Sequence, residues 1–234
     1  MHKPYVILVS PQLAENIGAV ARSMSNFGLD NLRIVSPRDG WPPSDEAFRL
    51  AAKGSFVLDK AMVYDDLNVA IADLNFIVAA TARSRYMVKK IMHPKKMVEY
   101  CSQKFNSDIK IGILFGRENN GLTNDELGLA DVISIIPTNE KNSSLNLAQA
   151  VSIFAYEFFS QECIKIGKSY EICNKEEFNN LFDLLITSLE QSDYFKEKNI
   201  KNTMIQNIRN IFVKAELTAQ EVRTLIGIIK NLDK

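Results

Sequence analysis

The stretch IKIGILFGRENNGL (residues 109–122) decides the fold, because it joins a largely apolar run to a polar loop with two glycines. The run Ile109–Phe115 is rich in isoleucine, which is typical of a parallel strand that helices cover on both faces. In open parallel sheets, the loops after the carboxyl ends of the strands build the ligand site. We therefore expect a buried strand here, followed by a tight loop around a small polar ligand.

Four other runs have the same apolar character, and helical patterns separate them. The predicted strands are Tyr5–Val9, Leu32–Val35, Phe76–Ala80 and Val132–Ile136. The predicted helices between and after them are Asn16–Phe27, Asp65–Ala72, Pro94–Phe105, Thr123–Leu129 and Leu145–Ile164. This alternation predicts an α/β fold, with an open, mainly parallel sheet and helices on both of its faces.

The chain is expected to have two folded parts and a linker. Residues 1–164 form the predicted sheet domain, and the polar segment 165–174 is the predicted linker. Residues 175–234 contain three helical patterns, at 176–190, 204–214 and 219–232, and no strand pattern. An all-helical extension of this size is expected to pack on the first domain or on a second subunit.

Composition limits the class of protein. The chain has 234 residues, of which 46% are hydrophobic and 24% are charged, and this is an ordinary globular composition. Its 28 basic and 28 acidic residues cancel, so only a local patch would attract nucleic acid. Three cysteines without CxxC spacing, no apolar run of membrane length and no signal pattern predict a cytoplasmic protein without a thiolate metal site.

Three segments have more polar and glycine detail than folding needs. Gly18, in the first turn of a helix, costs about 1 kcal/mol relative to alanine, which indicates a close backbone approach. Residues 116–121 carry two glycines but lack both the P-loop lysine and the G-x-G-x-x-G pattern, so a dinucleotide site is disfavoured. Residues 137–148 place Asn146 in a first helical turn. Taken singly, each segment also fits helix caps and surface charges.

A fourth segment is electrostatic. Residues 83–96 contain six lysines and arginines and no acid. This charge is enough to neutralise several phosphates of a nucleic acid. A solvated loop balanced by acids elsewhere is the alternative.

Four motifs, taken in order and spacing, are far more specific than any one of them. They are N-x-G-x-x-x-R (residues 16–22), T-A-R-S-R (81–85), F-G-R-E-x-x-G-L-T-N-x-E-L (115–127) and S-S-L-N-L-A-x-A-V (143–151). Together they closely resemble the SPOUT-class RNA 2′-O-ribose methyltransferases. Within that class the chain is most similar to the bacterial TrmJ-type tRNA (cytidine/uridine-2′-O-)-methyltransferases, and the similarity covers nearly the whole chain.

The resemblance implies a fold, a cofactor and an assembly. It implies a trefoil knot in the C-terminal part of the sheet domain, and a homodimer whose active site combines groups from both subunits. The methyl donor would be S-adenosyl-L-methionine, the product S-adenosyl-L-homocysteine, and no metal would be needed. The implied donor-binding residues are Thr81, Ala82, Arg83, Gly116, Glu118, Ile136, Ser143, Ser144 and Leu145.

The resemblance also implies a reaction and a substrate. The substrate would be tRNA, methylated at a cytidine or uridine ribose at position 32 of the anticodon loop. Arg22 would be the central catalytic residue, with Asn146 and Ser144 orienting the hydroxyl. The implied RNA-binding residues are Asn16, Arg22, Arg85, Lys89 and Lys90, with basic residues of the helical extension such as Arg209.

Two alternatives stay open. One is the same chemistry on another tRNA nucleotide or on ribosomal RNA. The other is of a different class, namely a knotted dimer that binds tRNA or senses the donor without turnover.

Overall fold

The computed structural model describes residues 3–82, 89–105, 108–139, 141, 143–161 and 172–232 of the chain. The predictions for Arg83, Arg85 and residues 165–171 of the linker lie outside these ranges. Seven strands form one sheet. They are β1 (Tyr5–Val9), β2 (Leu32–Val35), β3 (Met62–Tyr64), β4 (Phe76–Ala80), β5 (Lys90–Met92), β6 (Ile111–Phe115) and β7 (Val132–Ser134).

The strand order is β3-β2-β1-β6-β4-β7-β5, and every pairing between neighbouring strands is parallel. This confirms the predicted parallel α/β class. The trefoil knot stays a prediction. The order brings the carboxyl ends of β6, β4 and β7 side by side. The segments of three of the sequence motifs follow these strands: the glycine loop (residues 116–121) after β6, the segment that begins at Thr81 after β4, and the segment that leads to Ser143 after β7.

Sequence patterns missed the two edge strands, β3 and β5. Each has only three residues, of which two are exposed and one is partly buried. An edge strand is covered on fewer sides, so it lacks the continuous apolar run that reveals the interior strands. The basic segment 83–96 is therefore not one loop, since its described part contains β5 and the start of a helix.

Helices cover both faces of the sheet, as predicted. Those of the sheet domain are α1 (Ala14–Asn26), α2 (Asp45–Ala51), α3 (Ser55–Asp59), α4 (Leu67–Ile71), α5 (Pro94–Lys104), α6 (Asn124–Gly128) and α7 (Leu147–Gln161). One apolar core contains side chains of α1, α5 and α7, and the opposite core contains side chains of α4 and α6. The short helices α2 and α3 were not predicted. No helix in the described ranges is long and apolar enough to cross a membrane.

Gly18 makes the close approach that its position predicted. A Cβ atom at this residue would lie 2.1 Å from the backbone oxygen of Ala47 in α2. The glycine therefore lets two helix backbones touch. It serves the packing of α1 rather than the approach of a ligand.

The helical extension contains α8 (Lys175–Gln191), α9 (Lys201–Ala215) and α10 (Ala219–Leu232), and no strand occurs in its described part. Apolar side chains of the three helices form a core of their own. Its first helix attaches to the amino edge of the sheet, because the Lys175 backbone N–H donates to Leu74 O (2.7 Å) and that of Glu176 to Ala72 O (3.2 Å). The exact domain boundaries stay a prediction.

Buried charges reinforce this attachment. We name Lys89, Asp131, Lys175 and Arg209 the amino-edge cluster. The Lys175 ammonium pairs with Asp131, and their side chains are only 5% and 9% exposed. The second carboxylate oxygen of Asp131 accepts from the backbone N–H of Ile77 at 2.7 Å. The cluster therefore joins the extension to the starts of β4 and β7.

Candidate active site

A cleft opens at the carboxyl edge of the sheet, where the segments after β4, β6 and β7 converge. Its empty space is about 950 Å³ when the open mouth is included. The predicted donor-binding residues that the structure describes all line it. They are Thr81, Ala82, Gly116, Glu118, Ile136, Ser143, Ser144 and Leu145. Arg83 lies outside the described residues.

The loop after β6 has a shape that only glycine permits at its first position. A Cβ atom at Gly116 would lie 2.2 Å from the backbone carbon of Gly121, so the two ends of the loop touch. Gly121 has a φ of +67°, the left-handed region that glycine adopts without strain. The two glycines of the motif therefore close this loop on itself.

The side chain of Arg117 connects the same loop to two other segments of the chain. Its guanidinium donates to both carboxylate oxygens of Glu126 at 3.0 Å and to the Ser10 hydroxyl at 3.0 Å. Glu126 also completes a capping box with Thr123 at the start of α6. These contacts connect the loop at 116–121 to the start of α6 within the motif F-G-R-E-x-x-G-L-T-N-x-E-L. The sequence Thr-Asn-Asp-Glu at 123–126 predicts this capping box, and the structure confirms it, whereas no role was predicted for Arg117.

A chain of hydrogen bonds joins three of the motifs. The Glu118 carboxylate accepts from the Asn16 amide at 2.9 Å and from the backbone N–H groups of Gln12 (3.0 Å) and Leu13 (3.3 Å). The Asn16 carbonyl oxygen accepts in turn from the Asn146 amide at 2.9 Å. Glu118 therefore fastens the start of α1 to the glycine loop, and Asn146 fastens α1 to the start of α7.

Asn146 and Ser144, the two residues predicted to orient the hydroxyl, differ in their position relative to the cleft. The Asn146 carbonyl oxygen accepts from the Ala148 backbone N–H at 2.8 Å, so the residue caps α7, and it does not line the cleft. Ser144 is exposed and lines the cleft mouth. The catalytic roles of both residues stay predictions.

Arg22 lies on the exposed side of α1 and does not line the cleft of its own chain. Its guanidinium has no ion pair or hydrogen bond with the described residues. Asn16, six residues earlier on the same helix, is 9% exposed, and both ends of its amide are engaged in the chain of hydrogen bonds. An RNA contact by Asn16 stays a prediction.

The structure corrects the prediction for Lys89, while an RNA contact by Arg209 stays a prediction. Lys89 is 8% exposed, and its ammonium donates to the backbone oxygens of Gly128 (2.7 Å) and Ala130. Burial lowers the pKa of Lys89 to about 7, an effect that the nearby Asp131 opposes. Arg209 is stacked over Phe182 at 4.9 Å, donates to Asn179, and has a pKa lowered by burial. Lys89 is therefore not available to a phosphate, and Arg209 is half-buried, whereas Lys90 is exposed.

The cleft has an apolar floor and a polar mouth. Phe115, Leu147 and Ala80 line the floor and are buried or half-buried, while Asn119, Asn120, Ser143 and Ser144 at the mouth are exposed. One polar group lies in the floor. Ser134 is 0% exposed, and its hydroxyl has no hydrogen-bond partner among the described residues. An apolar slot with one unsatisfied hydroxyl and a polar entrance fits a nucleoside with a charged tail, which is the chemistry of S-adenosylmethionine.

A metal centre is a separate question. In the part of the chain that the structure describes, no three His, Cys, Asp or Glu side chains group together in a way that would hold an ion. That the protein needs no metal stays a prediction.

Comparison with known proteins agrees with this geometry. The model of the SpoU rRNA Methylase family matches residues 3–156. The TrmJ of Zymomonas mobilis ZM4, a crystal structure, is 38% identical, covers 99% of both chains and superposes with a TM-score of 0.88.

Two curated relatives are similar over most of their length. The tRNA (cytidine-2′-O-)-methyltransferase TrmJ of Methanocaldococcus jannaschii is 34% identical over 199 residues, which is 84% of this chain and 82% of the relative. The tRNA (cytidine/uridine-2′-O-)-methyltransferase TrmJ of Yersinia pestis is 30% identical over 242 residues, covering 100% of this chain and 93% of the relative. On these matches, and on a family match that spans well over half of its length, the chain belongs to the SpoU rRNA methylase family.

Proposed function

We propose that this protein transfers a methyl group from S-adenosyl-L-methionine to a ribose 2′-hydroxyl of tRNA, at a cytidine or uridine at position 32 of the anticodon loop. One observation carries the proposal, which is that residues predicted from three separate motifs line a single cleft. Family membership and the activities in the names of the relatives support the same chemistry.

The donor, when bound, supplies a methyl group that is already activated by its sulfonium. The chain therefore has to align the reacting atoms and help the hydroxyl lose its proton. The residues that would hold the donor are those that line the cleft, namely the glycine loop at 116–121, Ile136 with residues 143–145, and Thr81 with Ala82. The hydrogen bonds of Glu118, Asn16 and Asn146 hold these loops at a constant distance from α1.

Arg22 is the proposed catalytic residue, and it acts as a cation. A guanidinium stays protonated in proteins, so it cannot accept the proton of the hydroxyl. It instead binds the adjacent phosphate and stabilises the alkoxide that develops on the ribose oxygen. The proton leaves to a phosphate oxygen or to water. Ser144 orients the hydroxyl from the cleft mouth, and Asn146 assists from the start of α7.

The same residue supports a homodimer. Arg22 does not line the cleft of its own chain, so we propose that it acts on the substrate held by the partner subunit. Tyr156 and Phe159 of α7 are 54% and 51% exposed, and both pack on Phe27, which directly follows α1. This aromatic patch shares α1 with Arg22 and is the proposed contact with the second copy.

Substrate binding rests on local charge in a neutral chain. Lys90, which is exposed, and the sequence-predicted Arg83 and Arg85 are the proposed phosphate contacts. Most of the affinity for RNA is then electrostatic and falls as the salt concentration rises. A tRNA-modifying enzyme of this kind works in the cytoplasm.

Transfer of tritium from labelled donor to bulk tRNA and to ribosomal RNA tests the proposal, with the modified nucleotide mapped afterwards. We expect label in the tRNA fraction, at a 2′-O-methylated pyrimidine of the anticodon loop. Label in ribosomal RNA or at another tRNA nucleotide would show that the proposed substrate is wrong and that the proposed methyl transfer is right. Binding of tRNA without any transfer would favour the non-catalytic dimer.

A further inference from the structure

We infer that Ser134 is a ligand-binding residue, whose hydroxyl forms a hydrogen bond with the base of the bound methyl donor. The inference rests on the proposed function and goes beyond it, because Ser134 belongs to none of the four motifs. It starts from the hydroxyl in the cleft floor that has no partner among the described residues.

The position of Ser134 in the sheet directs its side chain into the cleft. It pairs in register with Ala80 of β4 on one side and with Met92 of β5 on the other. Strand side chains alternate between the two faces of a sheet, so Ser134 lies on the same face as Val132. Val132 packs in the apolar core that also contains Leu147 of α7. Both Ala80 and Leu147 line the cleft.

An unpaired hydroxyl at this depth needs an explanation. Burying a hydroxyl without a hydrogen bond costs about 1–3 kcal/mol, and most buried polar atoms of folded proteins are paired. Alanine or valine would fill a strand position of this kind without that cost. The side chains that flank Ser134 on the neighbouring strands, Ala80 and Met92, are apolar, and we infer that the partner of the hydroxyl enters with the ligand.

The cleft has a polar mouth and an apolar floor, and this difference indicates which part of the ligand lies beside Ser134. Charged and strongly hydrated groups stay at the exposed mouth, beside Asn119, Ser143 and Ser144. The flat, uncharged base of the nucleoside enters the apolar floor, between Phe115, Ala80 and Leu147. Its ring nitrogens and exocyclic amino group are then the polar atoms within reach of the Ser134 hydroxyl.

The test compares Ser134→Ala with the wild-type protein in two measurements. Calorimetric titration with S-adenosylhomocysteine should give a dissociation constant about five- to tenfold higher for the variant, since one net hydrogen bond is lost. The melting temperature of the ligand-free variant should be equal to or above that of the wild type, because a desolvated hydroxyl has been removed. A residue that only supports the fold would give a lower melting temperature.

Ser152→Ala is the matched control. The Ser152 hydroxyl in α7 already has two partners, Ser23 Oγ and Ala148 O, both at 2.8 Å, and Ser152 does not line the cleft. We expect this variant to melt at a lower temperature and to bind S-adenosylhomocysteine as the wild type does.

Analogues of S-adenosylhomocysteine that lack one ring nitrogen or the amino group of the base identify the partner atom. One analogue should bind the wild type more weakly than S-adenosylhomocysteine does. The same analogue and S-adenosylhomocysteine should bind Ser134→Ala with equal affinity, because the variant and the analogue each remove the same hydrogen bond.

Equal affinity of Ser134→Ala and wild type for S-adenosylhomocysteine would overturn the inference, as would a melting temperature several degrees lower for the free variant. Either result would leave the proposed function intact. Failure of the wild type itself to bind S-adenosylhomocysteine would instead reject the proposed function, and this inference with it.

Discussion

The two edges of the sheet use polar side chains in opposite ways. At the amino edge, Lys89 and Lys175 are buried and donate to groups of the chain itself, as Lys175 does to Asp131. At the carboxyl edge, the cleft keeps an unpaired hydroxyl at Ser134 and an exposed mouth. The paired charges at the amino edge hold the fold together, and we infer that the unpaired hydroxyl of Ser134 in the cleft marks the place where a ligand binds.

Lys89 and Lys90 show this difference at adjacent positions. Both belong to the basic segment that predicts phosphate binding. Lys89 points into the amino-edge cluster and donates to backbone oxygens, whereas Lys90 is exposed on β5. A count of positive charges therefore overestimates the surface that RNA can contact.

The largest effect is expected from Arg22→Ala. Loss of a cation that stabilises developing charge lowers kcat by about 10²–10³-fold. Because Arg22 has no partner among the described residues, the melting temperature should not change. Single-turnover methylation of tRNA and a thermal melt measure the two quantities. Arg223→Ala, an exposed arginine of α10, is the control, and near wild-type turnover by Arg22→Ala would remove Arg22 from the mechanism.

Asp131→Asn breaks the amino-edge cluster and should have the opposite effect to Arg22→Ala, lowering the stability of the fold while leaving the cleft intact. The change leaves the buried Lys175 ammonium without a counter-charge, which costs about 3–5 kcal/mol of unfolding free energy. Urea unfolding measures the loss, and the affinity of the folded variant for S-adenosylhomocysteine should stay unchanged. Asp125→Asn, at an exposed site on α6, should be neutral. A stable Asp131→Asn protein would show that the cluster does not hold the extension.

A smaller, pH-dependent effect is expected from Lys89. Burial lowers its pKa from 10.5 to about 7, with Asp131 opposing the shift and the charges of Lys175 and Arg209 adding to it. Between about pH 7 and pH 10.5 the unfolded chain therefore binds a proton that the folded chain does not. The free energy of unfolding should rise with pH across that window.

Urea unfolding at several pH values compares the wild type with Lys89→Met, which has no titrating group and should lose this part of the slope. Lys90→Met, at the exposed neighbouring position, should keep the wild-type slope. Equal slopes for Lys89→Met and the wild type would mean that the Lys89 ammonium is not desolvated in the folded protein.

The smallest effect is expected from Lys90→Gln. One lost phosphate contact should weaken tRNA binding a few-fold and reduce the slope of log K against log salt by about 1. Filter binding at several salt concentrations measures both quantities, and Lys230→Gln in α10 is the control. An unchanged salt slope would place the RNA elsewhere.

The sequence predicted the interior of the sheet because buried parallel strands are apolar on both faces. It missed β3 and β5, whose exposed residues hide that signal. Motif similarity predicted which residues line the cleft, but not that Glu118, Asn16 and Asn146 are bonded to one another across more than 100 positions of sequence. The burial of Lys89 was equally invisible, since it depends on residues about 40 positions away. Long-range polar contacts carry no local periodicity.

Hydrogen–deuterium exchange of the full chain, with and without S-adenosylhomocysteine, tests most directly whether the carboxyl-edge cleft binds the donor. Ligand binding slows exchange where it stabilises the backbone against local opening. The account predicts protection of peptides that contain residues 116–121 and 136–147, and no change in those that contain residues 172–176 at the amino edge. Protection confined to the amino edge, or no protection anywhere at saturating ligand, would contradict it.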